Sequence, residues 1–158
     1  NYIQSLDLVG RKLGLDGGRP FRDWIAEVKG FAGEHREDAD FRADFGLLGK
    51  AAGMVADMAS RFGRCFQEGR LSLVPMYSTR FLDCFAETVL ASLMLEQGLV
   101  ARDKLAAGGC GPADQAFYQG KTATVKYFCR NILTNVLSRH AAFELEDLSA
   151  LEVPEEAL

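Results

Sequence analysis

Phe41-Arg-Ala-Asp-Phe45-Gly-Leu-Leu48-Gly-Lys-Ala-Ala52-Gly-Met-Val55-Ala-Asp-Met-Ala59-Ser-Arg-Phe62-Gly-Arg-Cys-Phe66 decides the fold class. Apolar residues recur at alternating steps of four and three over seven turns, the period of one face of an α-helix, and charged residues fall between them. The acidic run Glu34 to Asp40 places carboxylates ahead of this helix, opposing its positive dipole end, and Gly69 is the expected stop.

The same period extends outward on both sides. Upstream, Tyr2, Leu6, Val9 and Leu13 form one stripe with no initiator Met, capping residue or signal peptide before them, so the chain reads as a cut-out from something larger. Gly14-Leu-Asp-Gly-Gly18 is a turn, and Pro20 opens a short second helix carrying Phe21, Ile25, Val28 and Ala32.

Downstream, a helix starting near Pro75 places Phe81, Phe85, Thr88, Ser92, Leu95 and Leu99 on a seam widened by Leu82, Val89 and Leu93, and Gly108-Gly-Cys-Gly-Pro112 ends it. Its apolar run from Phe81 to Ala101 is long enough to cross a bilayer but contains Asp83, Glu87 and Glu96, so a bundle helix is expected and no membrane span. The last long helix, about Ala113 to Phe143, turns Tyr118, Val125, Phe128, Ile132 and Val136 inward. The tail from Glu144 holds six acidic and no basic residues and is expected to be solvated. Strand-like alternation is absent, so the expectation is an all-α, antiparallel up-and-down bundle of three long helices plus shorter ones.

Composition bounds the function. The 158 residues fit one domain with a sizeable core, 48% hydrophobic and 25% charged. A net charge of -4 argues against a phosphate backbone as the main partner, so no nucleic acid is expected. Cys65, Cys84, Cys110 and Cys129 are isolated, and three lie in apolar helical stretches, which reads as a reduced, cytoplasmic protein.

No residue set for chemistry stands out. Neither His35 nor His140 has a Glu three residues before it, as a carboxylate di-iron bundle requires, and no Cys-x-x-Cys supports zinc. His35, beside Glu34, Glu37 and Asp38, reads as a solvated charge partner. Gly120-Lys121-Thr122 ends like a phosphate loop but lacks the glycine required at Gln115. The glycines around Cys110 read as a connector, and no cation beside Cys110 marks it as a nucleophile. Lys121, Lys126, Arg130 and Arg139 make a basic face on the last helix, either solvated or a docking strip for an acidic surface or coenzyme phosphates. Gly46, Gly49 and Gly53 mark a smooth stripe that invites another helix close to the backbone.

Two segments carry a resemblance. Ile3-Gln-Ser-Leu-Asp-Leu-Val-Gly-Arg-Lys-Leu13 with Asp16-Gly17-Gly18 resembles the junction at the end of the helical flavin domain in acyl-CoA dehydrogenases that carry an extra C-terminal helical domain. Phe117-Tyr-Gln-Gly-Lys-Thr-Ala-Thr-Val-Lys-Tyr-Phe128 with Asn131-Ile132-Leu133 is similar to that extra domain's signature segment, and Val74-Pro75-Met76-Tyr77 lies in the expected order. The family includes acetyl-CoA-dehydrogenase-like enzymes and those acting on 3-methylmercaptopropionyl-CoA.

The resemblance implies that residues 1–18 end the flavin domain, 19–145 form an accessory bundle and 146–158 form an acidic flexible tail. It implies a parent enzyme of fatty-acid metabolism that uses FAD and a glutamate base to dehydrogenate acyl-CoA thioesters, with the glutamate upstream of Asn1. It carries no catalytic, cofactor-binding or metal residue onto this chain. The expected partners are the rest of the parent enzyme and a second copy in a dimer; the alternative is a stand-alone helical interaction module with a basic docking helix.

Overall fold

The Phe41 to Phe66 stripe is buried down to Phe62, and the helix it predicts runs from Arg42 to Gln67. In a computed structural model, which describes residues 1–157, the helices are α1 (Tyr2–Asp7), α2 (Arg19–Glu34), α3 (Arg42–Gln67), α4 (Leu73–Ala107), α5 (Pro112–Tyr127) and α6 (Asn135–Glu144). No strand occurs among the described residues.

Side-chain neighbours fix the directions. The start of α3 lies against the later part of α4, since a Cβ at Gly98 would stand 3.0 Å from the Phe41 ring, while Phe62 near the end of α3 meets Phe81 at 5.5 Å between ring centres. The two helices are therefore antiparallel. By the same logic Gly49 faces Ala32 and Gly53 faces Lys29, so α2 runs against α3. Lys121 reaches Gln97 and Arg139 reaches Glu87, so α5 and α6 together run against α4. The result is the expected up-and-down bundle of four rods, with α1 laid on α4 as an extra element.

At one end of the core Phe62, Phe81, Phe143 and Tyr77 stack on one another; at the other, Phe41, Leu95 and Val125 pack beside Gly98. Each of these large side chains contributes roughly 1.5–3 kcal/mol by leaving water.

Four details differ from the sequence reading. Phe66 is 44% exposed because α3 ends one turn later at Glu68 and left-handed Gly69; Cys65 takes the buried place. The inner seam of α4 is Phe81, Cys84, Thr88, Ala91, Leu95 and Gly98, a face rotated from the expected one, so that Leu93 is exposed. A helix that is apolar nearly all round gives periodicity no direction, which is the physical reason for the error.

The third difference is a break in the last rod. Phe128–Ile132 forms a π turn, its Phe128 carbonyl accepting from Leu133 N–H at 3.0 Å, so Cys129 and Leu133 are buried where Phe128 and Ile132 were expected. A similar turn at Leu8–Lys12 follows α1. Fourth, the first residues of the acidic tail are anchored: Glu144 pairs with Arg61, Glu146 pairs with Arg70, and the Asp147 carbonyl accepts from Tyr77 Oη at 3.1 Å.

The turn before α2 agrees with its glycines, since Asp16, Gly17 and Gly18 all take positive φ. The acidic run before α3 acts through one residue. Asp38 Oδ1 accepts from the backbone N–H groups of Asp40 and Phe41 at 2.9 Å each, and its other oxygen pairs with Arg102 of α4.

Candidate functional site

The basic face is largely neutralised from within the fold. Arg130 donates to both oxygens of Asp44 at 2.8 and 3.0 Å, and this carboxylate is fully buried in the first turn of α3. Arg139, its charge held by Glu87 despite partial burial, donates to that carboxylate at 2.7 Å. Lys126 stands over the Phe41 ring at 5.3 Å, and Lys121 donates to Gln97 Oε1 at 2.8 Å. Each cation has an intramolecular partner, so the four do not form an open strip for an acidic surface. Sequence could not show this, because Asp44 and Arg130 lie 86 residues apart.

His35 is not a solvated charge partner. Its ring stacks on Phe45 at 4.8 Å, meets Phe31 edge-on and bonds the Phe31 carbonyl at 3.1 Å through Nδ1. His140 joins a polar cluster between α3 and α6: Nε2 lies 2.9 Å from Asp57, Nδ1 lies 3.6 Å from Glu144, and Arg61 bridges the same two carboxylates. Partial burial pulls the Asp57 carboxyl up, but hydrogen bonds from Arg61 and His140 hold it below its ordinary range. A carboxylate committed to two donors is a poor base, and the cluster ties helices together.

Burial pushes the Cys84 and Cys129 thiols up to about 12, and that of Cys65 upward as well. Cys110 sits in the connector, part-exposed, its thiol 3.6 Å from the Lys104 carbonyl. Gly120-Lys121-Thr122 lies inside α5, where backbone N–H groups are used by the helix and no phosphate loop exists. No group of three His, Cys, Asp or Glu side chains suited to a metal occurs among the described residues.

Gly49 does bring α2 close, as the stripe predicted, whereas a Cβ at Gly46 would meet nothing. The tightest glycine is Gly98, which the sequence did not single out: a Cβ there would lie 3.0 Å from Phe41 and 3.3 Å from Val125.

Two open hollows remain. One of about 730 Å³ lies between the Gly14–Gly18 turn, α2 and α3, walled by Phe21, Ile25, Ala56 and Ala59 with Arg22 at its rim. Another of about 320 Å³ lies between α4 and α5, walled by Val100, Ala101, Phe117 and Tyr118. Neither gathers an acid, a base and a nucleophile. Every buried side-chain polar atom among the described residues has a hydrogen-bond partner within the chain, including Ser5, Asp44, Ser78 and Thr88. None is left to receive a flavin or a nucleotide, so the described residues do not fit a dinucleotide cofactor.

Residues 24–154 match the family described as acetyl-CoA dehydrogenase C-terminal like. The chain belongs to that family. It is 34% and 31% identical to two butyryl-CoA dehydrogenases of Syntrophomonas wolfei, over 100% and 99% of its length, and 26% identical to a broad-specificity linear acyl-CoA dehydrogenase of Mycobacterium tuberculosis over 98%. It covers only 26%, 25% and 26% of those proteins, about a quarter of the curated relatives it matches. The fold agrees with this membership at the two segments that carried the resemblance: the Ile3–Leu13 stretch packs on α4, and the Phe117–Phe128 segment forms most of α5.

Proposed function

We propose that this chain is the non-catalytic C-terminal domain of an FAD-dependent acyl-CoA dehydrogenase, in which the catalytic base and the flavin belong to the upstream part. The supporting observation is the match over residues 24–154 to a family of C-terminal domains, combined with polar groups already satisfied inside the bundle. Residues 1–18 then continue the helical flavin domain into the bundle. The parent enzyme oxidises the Cα–Cβ bond of an acyl thioester, as the names of the relatives indicate for those proteins. Within it, the bundle contributes packing, subunit contact or the rim of the substrate mouth.

α4 is long and apolar enough to cross a membrane, with a mean hydropathy of 1.3 in its most apolar window. We read it as a bundle helix because its Phe81, Cys84 and Leu95 seam packs against α3, and its Glu87 pairs with Arg139 of α6. A cytoplasmic, homo-oligomeric enzyme fits this reading.

The test is spectroscopic. Purified 158-residue chain is expected to be colourless and inactive on acyl-CoA thioesters with an artificial electron acceptor, whereas the longer protein is yellow and active. A yellow 158-residue preparation with stoichiometric FAD overturns the proposal.

A further inference from the structure

α4 carries a second seam, opposite in character to its core seam because no described element covers it. Thr79, Ala86, Leu93 and Val100 fall seven residues apart and so share one stripe of the helix, with Leu90 beside it. Leu90 and Leu93 are each 48% exposed and Val100 57%. The spacing of Ala86, Leu90, Leu93, Gln97 and Val100, at steps of four, three, four and three, is that of a helix-packing surface. Gln97, the polar member, is held by Lys121.

The head of this stripe is already used in that way. Ser5 of α1 shares hydrogen bonds with Ser78 at 2.9 Å and Thr79 at 3.3 Å, so α1 occupies the stripe's first turns and stops. Tyr2 and Ile3, the first apolar residues of α1, are themselves 54% and 78% exposed. The entry point of the chain and the uncovered seam therefore lie along one face of α4.

We propose that the seam Ala86, Leu90, Leu93 and Val100 is the seat of the upstream part of the same polypeptide, docked as a permanent apolar interface. This rests on the reading of the chain as the C-terminal domain of a longer dehydrogenase. The relatives are covered to only about a quarter, so about three quarters of such a protein precedes Asn1 and arrives beside α1. A tethered partner has an effective concentration on the millimolar order, so a patch of a few apolar residues suffices where a free partner would need a larger one. The seam has no uncompensated charge along its centre, as suits an interface that is not meant to open.

The test labels thiols. In a Cys110→Ser background, Leu93→Cys and, as a control on the exposed side of α3, Arg64→Cys are introduced into both the longer protein and the 158-residue chain. In the chain alone both positions react with a bulky maleimide at similar rates. In the longer protein, position 93 is expected to react about tenfold or more slowly while position 64 does not change. That protection should be independent of protein concentration, and Leu90→Lys should abolish it. Equal labelling of position 93 in both proteins overturns the docking proposal. So does protection that grows with concentration in the short chain, which would assign the seam to a second copy. Intact mass and the flavin spectrum of the longer protein report separately on the underlying reading: a yellow, full-length protein with a freely labelled position 93 loses only the docking surface, and a native protein no longer than this chain loses both.

Discussion

Asp44 and Arg130 face each other across the bundle with one partner fully buried and the other half in water. Two parallel hydrogen bonds join them, and the guanidinium, its own charge reinforced by the Asp44 bond, sits at the point where the last rod changes from α5 into its π turn. Arg130→Met should therefore destabilise the chain by about 3 kcal/mol, because it strands a carboxylate that water reaches poorly. Asp44→Ala combined with Arg130→Met should recover most of that loss. Urea unfolding of the single and double variants measures both; equal stability of the two would show that the pair is not the source of the effect.

The glycines give a graded prediction. Gly98→Ala puts a methyl 3.0 Å from the Phe41 ring and should lower stability by about 1–3 kcal/mol through overpacking. Gly49→Ala, whose new methyl would meet Ala32 at 3.5 Å, and Gly46→Ala, which meets nothing, should each raise stability by about 0.4–1 kcal/mol. Thermal melts of the three variants should fall in that order. A tolerated Gly98→Ala would mean that α3 and α4 can move apart at little cost.

Thiol chemistry separates the cysteines. With Cys84 and Cys129 buried and pushed up to about 12, and Cys65 buried too, Cys110 should be the one thiol that reacts promptly with a disulfide reagent at pH 8 in the native chain. All four should react in denaturant. Prompt labelling of two or more in the native state would reveal opening of the core.

Acid should loosen the start of α3 through Asp38. Burial raises its carboxyl pKa, yet Arg102 and the N–H groups of Phe41 and Asp40 outweigh burial and hold it below the ordinary value. A carboxyl depressed in the folded state contributes stability that is complete above its unfolded pKa, about 3.9, and is lost as pH falls through the lower folded value. The stability difference between the native sequence and Asp38→Asn should thus be flat above about pH 5 and shrink below about pH 4. A difference that stays constant down to pH 3 would assign the role of Asp38 to its neutral hydrogen bonds.

Much of this architecture is legible in the sequence where one face of a helix is polar. The Phe41, Phe45, Leu48, Val55 and Phe62 positions of α3 are read correctly because Arg42, Lys50 and Arg64 mark the opposite side. α4 defeats the same method, since Leu90, Leu93 and Val100 on its outer side are as apolar as its core seam. The basic residues of the last rod look like a docking strip until folding brings Asp44 and Glu87 to them from other helices. No local rule announces a π turn, so the identity of the buried residues after Val125 was misread at Phe128 and Ile132.

That π turn also bears on how the last rod tolerates change in length. The span from Phe128 to Leu133 carries one residue more per turn than an α-helix, and everything after it, from Val136 through His140 to Phe143, owes its orientation to that extra residue. Deleting one residue there would restore regular helix and turn the downstream segment by about 100°, carrying Phe143 away from Tyr77 and His140 away from Asp57. A stretch that resembles ordinary helix on paper thus behaves as a fixed phase setting, in which a substitution is absorbed and a change of count is not.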